Sequence, residues 1–302
     1  MSMFARTAIL FTALALLLMG ICYAIGLYLG DPIAFLILGL VLAAVINLVS
    51  YAWSDKLVLR FTHTKLIGPQ ENPQLFSIVQ RVADEAHILM PKVGIVDSAQ
   101  PNAFATGRGP DKAVVVCTTS ILRMLSPSEL EAVIGHEISH VLHRDVLVAS
   151  IAATIAGAIS YIGWMVMWGS MFGGVGGGRS RGSQQSGSAA ILMILAVILI
   201  PIAASLVQLG ISRSRETLAD ESGARLTQKP QELVNALRKI SSRASANQWN
   251  KQNAPSPSTA ALWIVNPLKG SSMAGLFSTH PTLENRVKAI QKVGMEMGVI
   301  VV

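Results

Sequence analysis

Residues 135–145 read GHEISHVLHRD, with three histidines and two carboxylates set among apolar neighbours. On a helix, His136 and His140 lie one turn apart and project from one face. Two imidazoles so placed can hold one tetrahedral zinc ion at about 2.0–2.1 Å. Glu137 lies beside the first of them. Zinc makes a water that it holds more acidic, and the Glu137 carboxylate can take the proton as that water attacks a peptide carbonyl. H-E-x-x-H is short and occurs by chance. What completes the site therefore decides between a metal centre and an ordinary helix that carries two histidines.

A third protein ligand is needed. His143 falls on a similar face, but a rise of 1.5 Å per residue places it roughly 10 Å along the axis from His136, too far to share one ion on an unbroken helix. The better candidate lies in SRSRETLAD, residues 212–220, where Glu216 and Asp220 are again one turn apart. Glu216 is the expected third ligand, against the alternative of a solvated charge paired with Arg213 or Arg215. Asp220 is the expected carboxylate that accepts the free N–H of a ligand histidine and fixes its tautomer. Asp145 is either a second such carboxylate or a helix-face charge paired with Arg144 or a neighbour.

The elements that must position these residues follow from local signals. In SPSE, Ser126 is a good N-cap, Pro127 takes the first helical position and Glu129 completes a capping box. Leu130, Val133, Ile134 and Val141 then recur at helical spacing. With no breaker between Asp145 and Val146, this helix is expected to run directly into the apolar segment that follows. Asn72-Pro73 starts a helix expected to reach about Met90. Residues 92–97, 102–106 and 113–118 read as strands of a small sheet, with GRGPDK as a turn. Residues 241–262 show little periodicity and read as a surface loop. His63 and His87 read as surface or core residues.

Composition sets the environment. Of 302 residues, 51% are hydrophobic and only 14% charged, with a mean hydropathy of +0.50; a soluble domain carries about 25% charged residues. Residues 8–29, 33–53, 146–172 and 189–210 contain no Asp, Glu, Lys, Arg or His. Each reaches the length of about 20 helical residues that a bilayer requires. The first, although preceded by a basic start, is read as a retained anchor because it is longer than a signal-peptide core and no A-x-A site follows it. Asp31-Pro32 reads as an N-cap and first helical position, making the first two spans a tight hairpin. Lys56, Arg60 and Lys65 follow the second span, and Arg213 and Arg215 follow the fourth. They place both polar halves and both termini on the cytoplasmic side, against Arg179 and Arg181 in the Gly/Ser loop 173–188. The expected organisation is a hairpin at 1–53, a first half of a polar domain at 54–145, a second hairpin at 146–211 and a second half at 212–302. The net charge of +7 is spread without a basic run interleaved with aromatics, which argues against nucleic acid. Cys22 and Cys117 are too unrelated to form a disulfide framework or a zinc knuckle.

These residues resemble the HtpX-type membrane zinc metalloproteases and, more distantly, the CAAX prenyl endoproteases of the same superfamily. The resemblance rests on the N-terminal hairpin, PNAFATGRGP (101–110), ELEAVIGHEISH (129–140), the second hydrophobic pair, SRSRETLAD (212–220) and FSTHPTLENRV (277–287). It implies a mainly α integral membrane protein with four transmembrane helices and a zincin-like α+β protease domain, whose small sheet lies beside the H-E-x-x-H helix. It implies one Zn2+ on His136, His140 and Glu216, with Glu137 as catalytic base. Asn102, Ala103, Phe104 and Ala105 then form an edge strand that can pair with an extended substrate backbone. His280 sits where the family has a histidine near the site; it is either a donor to the tetrahedral oxyanion or a capping or core histidine. The segment departs from the family's two prolines and acidic pair at Leu283 and Asn285, and the resemblance assigns no role to Glu284 or Arg286. The implied activity is endoproteolysis of misfolded or damaged membrane proteins, in quality control and the stress response of a bacterial inner membrane. The implied partners are unfolded or membrane polypeptides, the lipid bilayer and further copies of the chain or other quality-control proteases. The competing class is a non-enzymatic membrane protein with a structural metal, whose site a fourth protein ligand would close.

Overall fold

The structure is a computed structural model and describes residues 3–155, 213–246 and 281–302. Helices α1 (Met3–Leu29) and α2 (Pro32–Phe61) form the expected hairpin. Asp31 Oδ1 accepts from Ala34 N at 3.0 Å and Pro32 opens α2. Close approach of the two helices is set at Gly39, where a Cβ would meet Leu18 O at 2.8 Å. Asn47 Nδ2 donates to Phe11 O across the pair. Leu16, Ile33, Val41 and Leu48 point outward. Both helices are long and apolar enough to cross a membrane. At 1.5 Å per residue, α2 spans about 45 Å, more than a hydrocarbon core of about 30 Å, so its last turns project beyond one.

Those turns meet a four-stranded sheet of β1 (Lys65–Ile67), β2 (Lys92–Val96), β3 (Ala103–Thr106) and β4 (Val114–Thr118), in the order β1-β2-β4-β3. β2 and β4 are parallel; β1 and β3 join them antiparallel, with Ala103 opposite Cys117 and Ala105 opposite Val115. Both faces are covered. Val93, Ala103, Val115 and Cys117 enter the main core, while Phe104, Val114 and Val116 pack on Val58 of α2 and on Ala153. A sheet covered twice is apolar at every position, which is why the valine run 114–116 does not alternate.

The main core is closed by α3 (Pro73–Glu85), α4 (Thr119–Met124), α5 (Pro127–Leu142), α7 (Arg213–Thr227), α8 (Pro230–Ala246) and α9 (Leu283–Glu296). α6 (Asp145–Ile155) instead packs with the hairpin through Leu147, Val148 and Ile151. Cys22 and Cys117 are free and buried.

Several expectations are corrected. α3 stops at Glu85 and not at Met90; His87 takes φ 54° past its end, and Pro91 bars the residue before it from helical conformation. Strand β1 and the short α4 were not foreseen. α5 does not run on into the apolar segment. His143 caps it, Arg144 takes φ 56°, and α6 leaves at 88° to it. The loop expected over 241–262 is corrected at 241–246, where α8 continues to Ala246 with Ser241 buried; residues 247–262 lie outside the described ones. Of the two later apolar segments, only residues 146–155 are described.

Candidate active site

α5 is fixed at its start and along its length. Ser126 Oγ accepts from Glu129 N at 3.3 Å and Glu129 Oε2 accepts from Ser126 N at 2.8 Å, the reciprocal box anticipated from sequence. Lys239 on α8 donates to the same Glu129 oxygen at 2.8 Å. Glu131 is held by Arg81 of α3 and Lys229. These ties and the burial of α5 from Glu129 to Ser139 hold the helix that carries His136, Glu137 and His140.

The crossing of α5 and α7 depends on two glycines. A Cβ on Gly223 would lie 2.7 Å from His136 N and 2.8 Å from its Cα; one on Gly135 would lie 2.4 Å from Thr227 Cγ2. Glycine inside a helix costs about 1 kcal/mol relative to alanine. Here it lets two backbones approach closer than any side chain allows, which brings Glu216 and Asp220 up to the histidines.

His136 Nε2 lies 3.8 Å from Glu216 Oε2, and His140 Nε2 lies 3.3 Å from Glu216 Oε1. One ligand atom from each of the three residues falls within 4.8 Å of the others. Two imidazole nitrogens and a carboxylate oxygen at that spacing fit a zinc ion, which takes this donor set with three protein ligands in catalytic sites. The back of each ring is also supported. His136 Nδ1 lies 3.0 Å from Asp220 Oδ1, off the ideal hydrogen-bond line. His140 Nδ1 lies 3.7 Å from Asp145 Oδ2. Asp145 pairs with Arg215 at 3.3 Å.

Charge follows from this arrangement. Burial alone would lower the His140 pKa; Glu216, Asp145 and Glu137 overcome it and hold the ring protonated, with its pKa pushed up to about 10. The cluster thus demands a positive charge at this point, which a proton or a metal ion supplies. Burial raises Glu137 above the ordinary carboxylate range, against the pull of His136 and His140. A carboxylate held there is a stronger base than one in water. Burial would raise Asp220 as well, but the Arg286 guanidinium more than offsets it and keeps the carboxyl below its usual range.

β3 lies at the sheet edge beside α5. Thr118 N donates to Asn102 O at 2.9 Å, and Asn102 N donates to Thr118 Oγ1 at 2.9 Å. Asn102 therefore faces β4, and by alternation Ala103 and Ala105 turn their backbone groups to the outer edge. There the Ala105 N–H donates to Glu137 Oε2 at 3.0 Å. Phe104 points its side chain into the packing against α2. His143 is outside the ligand cluster: its Nε2 meets Ser222 Oγ at 3.0 Å. His63 and His87 are exposed and take left-handed conformations past helix ends. His280 lies outside the described residues.

Sequence reasoning left Arg286 without a role. It is 2% exposed, and its Nε and Nη2 donate to Asp220 Oδ2 and Oδ1 at 2.8 and 2.6 Å. No local pattern points from one partner to the other across 66 residues.

Relatives bear on the whole of this arrangement. Proteins named "Protease HtpX homolog" are 44% identical over 300 residues in Pyrococcus abyssi (99% of each chain) and 44% identical over 286 residues in Syntrophobacter fumaroxidans (95% of this chain, 98% of that one). A crystal structure of S. mikatae Ste24p is similar at 18% identity and a TM-score of 0.45, covering 89% of this chain and 63% of that one. The model of peptidase family M48 matches residues 69–293, a stretch that holds His136, Glu137, His140, Glu216, Asp220 and Arg286. The chain belongs to peptidase family M48, among the HtpX-type proteases.

Proposed function

We propose that the chain is a membrane-anchored zinc endopeptidase that cleaves misfolded or damaged membrane proteins at a cytoplasmic site, as part of proteolytic quality control. The observation that carries this reading is the cluster of buried His136 and Glu216 with half-buried His140, with Glu137 beside it and the edge of β3 next to Glu137. His136, His140 and Glu216 would hold the ion. Zinc there supplies Lewis acidity, which makes water a nucleophile near neutral pH and polarises a carbonyl.

The chain's own residues do the rest. The outward N–H and C=O of Ala103 and the outward C=O of Ala105 pair with an extended substrate, giving binding that tolerates many sequences. Glu137 takes the proton of the attacking water on Oε1 or Oε2 and passes it to the leaving amine. The Ala105 N–H holds that carboxylate in line with the strand that carries the substrate. Asp220 and Asp145 orient the two imidazoles, and His280 donates to the developing oxyanion. The hairpin of α1 and α2 anchors the sheet at a bilayer through Val58, so segments leaving the membrane meet the strand edge at short range.

The test is Glu137→Gln in the full chain with an unfolded membrane-protein substrate. It should keep zinc at the wild-type stoichiometry and lose cleavage by at least about 100-fold, the share that general acid–base catalysis contributes. Cleavage at the wild-type rate would overturn the mechanism. Retention of zinc by His136→Ala and Glu216→Ala would overturn the ligand set.

A further inference from the structure

We propose that Arg286 is a positioning residue of the metal centre: its guanidinium clamps both oxygens of Asp220, so that Asp220 holds the His136 ring with Nε2 turned toward His140 and Glu216. This rests on the metal-centre reading above and adds α9, from the far end of the chain, to the parts that build the centre.

The geometry carries it. Arg286 makes a two-pronged contact, Nε to Oδ2 at 2.8 Å and Nη2 to Oδ1 at 2.6 Å. Only a planar guanidinium fork fills both oxygens of a carboxylate at once. The Oδ1 so engaged is the oxygen that lies 3.0 Å from His136 Nδ1. A carboxylate's terminal torsion is broad and nearly two-fold. Held at one oxygen only, Asp220 could swing that oxygen away from the ring; held at both, it cannot. His136 in turn shows its other nitrogen to Glu216.

The burial argues that the pair does more than stabilise. The Arg286 and Asp220 side chains are 3% and 0% exposed. An isolated ion pair in such a place is a poor source of stability, since apolar residues of equal volume serve as well or better. The pair makes sense if its product is the orientation of Asp220. α9 has its own apolar grip on the core through Ile290 and Val293, so the helix does not need Arg286 to dock.

The experiment uses the full chain in detergent or nanodiscs, with wild type, R286K, R286M, D220N and D220N/R286M. Zinc affinity is read by competition with a chelating indicator, the ligand field by the visible spectrum of the Co2+-loaded protein, and folding by circular dichroism. R286M should weaken zinc binding by about 10–100-fold, the usual effect of losing a partner behind a metal ligand, and should shift the Co2+ bands. R286K keeps the charge but not the fork, and should stay folded while losing affinity. D220N should match R286M, and the double variant should be no worse than D220N, since one acts through the other. Wild-type affinity and an unchanged spectrum in folded R286M or R286K would overturn the proposal, as would losses that add in the double variant. If R286K and R286M both fail to fold while D220N/R286M folds and binds zinc like wild type, the pair belongs to the fold alone and the proposal fails. A wild-type chain that binds no zinc sinks instead the metal-centre reading on which this rests.

Discussion

The two histidines of the centre are supported from behind by the same series of groups, imidazole to aspartate to arginine, but the two supports differ in quality. Behind His136, Asp220 lies at 3.0 Å on the helix that also carries Glu216, and Arg286 grips it with two prongs out of reach of water. Behind His140, Asp145 lies at 3.7 Å and pairs at 3.3 Å with Arg215, whose side chain is 27% exposed. The difference traces to where each aspartate sits. Asp220 is mid-helix, beside a crossing that Gly135 and Gly223 pin. Asp145 opens α6, beyond the left-handed turn at Arg144. One half of the centre is thus set by helix packing and the other by a turn, and the first should tolerate change far less.

The largest expected effect concerns the half whose charge is set by its surroundings. His140 has its pKa raised to about 10 from 6.5. A raised pKa adds stability to the metal-free protein that is fully present below 6.5 and is lost as pH rises through about 10. A zinc ion held at this cluster would have to displace that proton, so its apparent affinity should climb with pH across this window, by up to about ten-fold per unit. Zinc should accordingly raise the melting temperature more at pH 9 than at pH 7. A flat profile between those values would show that the carboxylates do not hold His140 protonated.

Asp220→Ala comes next. It removes the carboxylate that Arg286 grips with two prongs, and breaking a buried pair costs about 3–5 kcal/mol, read as a fall in the denaturation midpoint of the metal-free protein. A loss under about 1 kcal/mol would mean that water reaches Arg286 and that the two supports are not different in kind. Gly223→Ala should cost about 1–3 kcal/mol, the usual range for overpacking, and should weaken zinc binding. The added carbon meets backbone atoms of His136, which cannot rotate away. Equal stability with reduced zinc affinity would place the strain in α7 alone.

What could be read from the amino acids divides along the same line. The cap at Ser126, the two histidines one turn apart and the Glu216–Asp220 pair all rest on spacing within a single helix, where position dictates direction. The Arg286–Asp220 clamp joins two helices, and no local spacing marks which arginine of a polar segment becomes buried. Gly135 and Gly223 read locally as weak points of their helices; their use appears only when the helices cross. The turn at Arg144 has neither Gly nor Pro to announce it. A left-handed arginine costs about 1–2 kcal/mol, and the packing of α5 on the core and α6 on the hairpin overrides that cost. The sheet was legible in its valine-rich strands, while the three-residue β1 was too short to show a period.

The smallest effect should come from the looser support. Asp145→Asn keeps the shape of the side chain and removes its charge. Arg215 can turn to solvent when its partner is lost, so the stability change should stay within about 1 kcal/mol, the range of partly exposed pairs. Zinc affinity should fall by less than it does in Asp220→Asn, because a carboxylate 3.7 Å from Nδ1 orients its ring less firmly than one at 3.0 Å. The same variant should lower the His140 pKa, since Asp145 is one of the groups that raise it, and so move the onset of pH-dependent zinc binding to lower pH. If Asp145→Asn costs as much zinc affinity as Asp220→Asn, the distance between Asp145 and His140 closes when the ion enters, and the two halves of the centre become equal only in the metal-bound protein.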